Sequence, residues 1–157
     1  MPDALDLLHD DHEQVAALYE QLGSTDAPAE RRALVDRMIR ALAQHSEVEQ
    51  EIFYPAIVGR VEGGPGFVGT NLEEHRQAGE LLRRLEGLSP EDRDFSPTVG
   101  ALMKAVRVHV SAEEKQLFPR VRAALTGGEL EEMAARIEQR RGAEPVRRRS
   151  RRRSSPG

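Results

Sequence analysis

Apolar side chains return at steps of three and four through most of the chain, the spacing of one face of an α-helix. In DALDLLHDDHEQVAALYEQL the positions Leu5, Leu8, His12, Val15, Ala16, Tyr19 and Leu22 form such a stripe, which predicts a first helix ending at Gly23. A second helix is expected from Pro28, capped by Asp26, through Leu34, Val35, Met38, Ile39, Leu42, His45, Val48, Glu49, Ile52 and Phe53 to about Val61. Pro55 should kink it by removing a backbone donor. GGPGFVG reads as a loop, after which Thr70 and Glu73 form a capping box for a third helix reaching Glu86. Ser96 and Pro97 open a fourth, carrying Val99, Leu102, Met103, Val106, His109, Val110, Glu113, Leu117 and Val121, kinked at Pro119 and ended by Gly127 and Gly128. ELEEMAARIEQRRG predicts a short fifth helix, acidic at its start and basic at its end.

The pattern repeats. DDHEQVAALYEQL matches EEHRQAGELLRRL, and HSEVEQEIFYP matches HVSAEEKQLFP, so each half is a helical hairpin with one His on its first helix and His-x-x-x-Glu on its second. A hairpin of two helices cannot bury its apolar face alone, and two such halves predict an all-α, up-down-up-down four-helix bundle. The expected organisation is a bundle over residues 1–126, a short helix over 127–142 and a disordered Arg/Ser-rich tail over 143–157. One register is uneasy: His45 stands about 26 Å along the helix from Pro28, farther than His12 from its loop, so the second helix should overhang or start late.

Composition narrows the chemistry. Without cysteine there is neither a disulfide framework nor thiolate ligation, so any metal must be held by imidazole and carboxylate. No run approaches a membrane span, and the acidic N-terminus lacks a secretory pattern, which makes a cytoplasmic location the expectation. The net charge of −4 is uneven: residues 1–142 sum to −9, while VRRRSRRRSSPG supplies six Arg.

His45 with Glu49, and His109 with Glu113, share a helix face with the apolar stripe. A carboxylate turned into a core is costly unless a cation, an arginine or a proton accompanies it. A single such pair is ordinarily a surface contact. Two in matched helices, with His12 and His75 at matched places, bring four imidazoles and two carboxylates together as ligands for two metal ions. With both glutamates bridging, each ion keeps about two of six octahedral positions open. Iron or manganese suits this donor set, and zinc also accepts it. His9 reads as a flanking, partly exposed or core histidine; Glu47, Glu51 and Glu114 read as solvated. Tyr54 and Phe118 read as core residues, with a supporting role beside the ligands a lesser reading for Tyr54.

LLHDDHEQV, HSEVEQEIFYP, EEHRQAGELL and HVSAEEKQLFP together resemble the hemerythrin-like, HHE cation-binding family over about residues 5–123. The resemblance implies a four-helix bundle holding a non-haem di-iron centre that meets dioxygen, peroxide or nitric oxide, with His12, His45, Glu49, His75, His109 and Glu113 as ligands. Two departures count against oxygen carriage. Gly79 stands where the oxygen carriers have a further His, and Glu113 falls one residue before their Asp. The H, HxxxE, H, HxxxE version resembles a bacterial subset associated with hydrogen peroxide breakdown. Gly79 and Ala16 leave small side chains one turn from His75 and His12, where a ligand could approach.

Three function classes follow: a catalase-like enzyme acting on peroxide; a binding module that senses or stores iron, oxygen or nitric oxide without turnover; and a weaker third, nucleic-acid association through the Arg tail.

Overall fold

The computed structural model describes the backbone of residues 1–153 and the side chains of residues 1–142; the disordered arm expected at 143–157 lies outside the fully described residues. Four rods run alternately up and down. The first is α1 (Ala4–Gly23), and the second is α2 (Pro28–Val48), a π-helical turn π1 (Glu49–Phe53) and α3 (Tyr54–Ile57) in continuous succession. Then come α4 (Gly64–Glu86) and a fourth rod of α5 (Phe95–Ala112), π2 (Glu113–Leu117) and α6 (Phe118–Ala124). A last helix, α7 (Gly127–Arg153), begins where the fifth helix was expected and packs along α1 and the second rod.

Several element ends differ from the sequence expectation. Asp3 and Asp6 form a reciprocal capping box on α1. Asp26 does not cap α2: Ala27 holds that position without a side-chain bond, because Pro28 at N1 already supplies the helical φ and has no orphan N–H. The helix does not start late. Its early turns are secured by Arg31, which donates to the Leu22 and Thr25 carbonyls, and by Arg32, which donates to the Leu85 and Leu88 carbonyls.

GGPGFVG is not a loop. Gly63 takes the left-handed turn at φ 73°, and Gly64 and Pro65 open α4 at once, so Thr70 lies inside a helix and caps nothing. A Cβ on Gly64 would stand 2.5 Å from the Val58 carbonyl oxygen, which is why the turn requires glycine there. The fourth rod starts at Phe95, which is wholly buried, one residue before Ser96. It stops at Ala124, because Thr126 and Glu129 form a capping box that starts α7; Gly127 and Gly128 open that helix rather than closing the one before.

Pro55 and Pro119 do not produce simple kinks. Each is the second residue of an α segment that follows a π turn, and the Tyr54 and Phe118 amides reach back five residues to the Glu49 and Glu113 carbonyls. The widened turn absorbs the missing proline donor. In both halves it opens on the glutamate of His-x-x-x-Glu.

Two apolar clusters fill the bundle. One joins Leu5 and Leu8 to Phe53, Ile57, Leu117, Val121 and the α7 residues Leu130, Met133 and Ile137; the other joins Val15, Leu18 and Leu22 to Val35, Met38, Leu85, Phe95 and Leu102. Each fully buried Leu or Phe contributes about 1.5–3 kcal/mol. The His and Glu of the repeated phrases lie between the clusters along the rods. Among the described residues no helix is long and apolar enough to cross a membrane.

Candidate metal centre

Each rod brings one histidine to this middle layer: His12 from α1, His45 from α2, His75 from α4 and His109 from α5. The rings form two edge-on pairs, His12 with His45 at 4.8 Å between centroids and His75 with His109 at 4.9 Å. Glu49 and Glu113, wholly buried, stand between them. Donor atoms of His45, Glu49, His109 and Glu113 all lie within 4.8 Å of one another.

Both carboxylates span the two pairs. Glu113 Oε1 is 3.2 Å from His12 Nε2 while its Oε2 is 3.1 Å from His109 Nε2. Glu49 Oε1 is 2.9 Å from His45 Nε2, 3.1 Å from His75 Nε2 and 3.4 Å from His109 Nε2. Proximity here is not hydrogen bonding throughout: His12 Nε2, His45 Nε2, Glu49 Oε2 and Glu113 Oε1 are buried without a hydrogen-bond partner. The His12–Glu113 and His45–Glu49 approaches are close but are not aligned as hydrogen bonds. Buried polar atoms left unpaired normally cost about 1–3 kcal/mol each, and four facing one space fit a cation as the missing partner.

Three of the four outer nitrogens are held, and His109 Nδ1 is buried without a hydrogen-bond partner. His45 Nδ1 is 2.8 Å from Asp11 Oδ2, His12 Nδ1 3.2 Å from Glu114 Oε1, and His75 Nδ1 3.2 Å from Gln50 Nε2; Glu74 Oε1 stands 3.7 Å from His109 Nδ1. Carboxylates behind imidazoles fix the ring and leave Nε2 facing inward. Asp11 is further gripped by Arg141 of α7. Sequence reasoning missed Asp11, Glu74, Gln50 and Arg141. A signal existed for two of them, since Asp11 and Glu74 each immediately precede the first-helix His of their half.

Glu114 corrects an expectation: it is not solvated but three-quarters buried, and it joins His12 to the half-exposed His9. Glu47 and Glu51 are exposed and meet Arg140 of α7. Phe118 stacks on His12 at 6.2 Å. Tyr54 is buried, as a core residue should be, yet its hydroxyl lies 3.3 Å from both Glu113 Oε2 and His75 Nε2. Ala16 is exposed and borders a cavity of about 240 Å³ beside His12 and Glu114, whereas Gly79 borders one of about 280 Å³ that touches all four site histidines.

In the metal-free protein, burial pulls the His45 imidazolium down, but the Glu49 charge and the Asp11 hydrogen bond outweigh it and raise its pKa to about 10. Burial likewise works against His109, and hydrogen bonds to Glu113 and Glu49 raise it to about 11. Burial would raise Glu49, yet the charge of His45 holds it well below the usual carboxylate range. Burial and the two glutamate charges push the Tyr54 hydroxyl far up, so it remains a donor.

Buried imidazoles and carboxylates from four helices, with unpaired atoms turned to a common space, define a cation-binding helical bundle. The chain belongs to the hemerythrin HHE cation binding domain family, whose model matches residues 3–121. A crystal structure of a hemerythrin HHE cation binding domain-containing protein from Mycobacterium kansasii superposes with a TM-score of 0.76 at 27% identity, covering 95% of this chain and 93% of that one. An uncharacterised protein of Mycobacterium tuberculosis is 30% identical over 146 residues, 89% of this chain and 88% of its own length. A DNA nickase of Nostoc sp. is 27% identical over 146 residues, and the chain spans 41% of that relative's length.

Proposed function

We propose that the site holds two iron ions through His12, His45, Glu49, His75, His109 and Glu113, and that the protein disproportionates hydrogen peroxide. The observation that carries this reading is the placement of both glutamates across the two histidine pairs, with one oxygen of each, Glu49 Oε2 and Glu113 Oε1, unpaired. Four nitrogens and two carboxylates without sulfur favour iron over softer-ligand metals, with manganese and zinc as the alternatives that metal analysis separates. A bound di-iron centre supplies the two-electron redox capacity that peroxide disproportionation needs.

The protein's own groups do the rest. Asp11, Glu114 and Gln50 orient three imidazoles from behind. Tyr54 keeps its proton at Oη, 3.3 Å from the Glu113 carboxylate, where the breaking of an oxygen–oxygen bond requires a nearby donor. The apolar clusters close the site at either end along the rods.

Purified, iron-loaded protein should consume many equivalents of hydrogen peroxide and release oxygen, and Glu49→Ala should abolish this. Equal decay in both ends the proposal. Stoichiometric binding of oxygen or nitric oxide without turnover would instead identify a sensor or store. The Arg-rich end has its own test: nucleic-acid binding lost on deleting residues 143–157, with iron content unchanged, would assign a separate role there.

A further inference from the structure

The cavity of about 280 Å³ beside the histidines is far larger than hydrogen peroxide requires, since a water molecule occupies about 30 Å³ of liquid. Its apolar walls are Val15, Ile39, Leu42, Ala78, Leu82 and Val106, and its floor is the four imidazoles; polar groups, Asp11, Ser46, Gln50 and Glu74 among them, also line it, but neither Glu49 nor Glu113 does. The space therefore adjoins the histidine face of the cluster, on the side away from the carboxylates. The volume is ample for a compact organic group, since about 150 Å³ suffices for benzene. The lining reaches solvent at Ala43 on α2 and at Arg83 and Glu86 on α4, all exposed. Gly79 lines the same side, where a Cβ would meet nothing closer than Arg83 Nη1 at 3.7 Å, an ordinary contact. Hydrogen peroxide alone does not fill a chamber of this size, and the apolar walls offer it no partner.

We infer that the centre also accepts small organic hydroperoxides, the peroxide end lying on the histidine floor and a compact alkyl or aryl group filling the apolar cavity; this rests on the di-iron reading above. Electrons come from hydrogen peroxide as co-substrate. The oxygen–oxygen bond of ROOH breaks with uptake of two electrons and two protons to give ROH and water, and one hydrogen peroxide loses two electrons and two protons to leave as dioxygen. Atoms and charge balance as ROOH + H2O2 → ROH + H2O + O2.

The test has a kinetic arm and a binding arm. Iron-loaded protein should convert cumene hydroperoxide to its alcohol in the presence of hydrogen peroxide. In Leu82→Phe, which fills the chamber, KM for cumene hydroperoxide should rise at least tenfold relative to KM for hydrogen peroxide. The smaller Ala78→Val change should move the ratio the same way and serves if Leu82→Phe does not fold. Separately, calorimetry should detect binding of cumyl alcohol to the wild-type protein, weakened at least tenfold in the filled variant. Hydrogen peroxide turnover without cumene hydroperoxide turnover, or no alcohol binding, overturns the inference. Absence of hydrogen peroxide turnover would remove the di-iron reading instead, and the calorimetric arm would still decide whether the cavity takes this class of molecule.

Discussion

Arg141 on α7 and His45 on α2 share one carboxylate: Asp11 Oδ2 accepts from Arg141 Nη2 and lies 2.8 Å from His45 Nδ1. The last helix is thereby tied to the orientation of a site imidazole. Groups that stand behind a metal-bound imidazole typically account for about 10–100-fold in metal affinity. Arg141→Ala and Asp11→Asn are expected to weaken iron binding within that range, measured by competition with a chromogenic chelator. Arg140→Ala, which alters contacts to Glu47 and Glu51 on the outer surface, should leave affinity nearly unchanged. An equal loss in both arginine variants would mean that α7 acts by general docking.

Removing the metal should lower stability, because a ligand bound only by the folded state stabilises it by mass action. The midpoint of thermal unfolding is expected to fall on chelation and recover on adding iron. Glu49→Gln should destabilise even the metal-free protein by about 3–5 kcal/mol, the usual result of removing one partner from a buried ionic network. Urea denaturation of chelated samples measures this, and an unchanged midpoint would show that the carboxylate is not paired there.

The α3–α4 corner offers a backbone test. Gly64→Ala forces a Cβ to within 2.5 Å of the Val58 carbonyl oxygen, so a loss of about 1–3 kcal/mol is expected. Gly66→Ala, two residues on, meets only open space within α4 and should be stabilising by about 0.5–1 kcal/mol. Urea midpoints of the two variants should therefore move in opposite directions.

Glu129 supplies a pH signature for the start of α7. Its hydrogen bond and ion pair with Arg60, together with the Thr126 amide, hold its pKa at about 2, below the usual 4.5. A carboxyl group depressed in the folded state stabilises above its unfolded pKa and loses that contribution as the pH falls toward the folded value. The urea midpoint of wild type should exceed that of Glu129→Gln at pH 6, and the gap should close between about pH 4.5 and 2. A gap constant across that range would show that the carboxylate charge has no part in it.

The four rods and the six facing side chains were legible because both rest on periodicity: stripes at three and four, and a phrase written twice. Helix ends were less so. Thr70 and Glu73 spell a capping box as well as Thr126 and Glu129 do, yet only the second pair caps, because the Gly63–Gly64 corner had already begun α4 upstream. Asp11, Glu74 and Gln50 were hidden for a different reason. Their roles come from neighbouring rods, and Gln50 reaches His75 across 25 positions of sequence. Glu114 reads as solvated from its own helix alone, and His9 and His12, on another rod, cover it.

The π turns carry a consequence for any attempt to shorten this chain. Each amounts to one supernumerary residue in a rod, and an α-helix rotates by about 100° per residue. Excising a single residue between Glu49 and Tyr54 would restore regular winding and swing everything downstream by that angle, carrying Ile57 out of the interior. The surplus residue is what lets one rod aim a carboxylate at the centre and still bring its far end home.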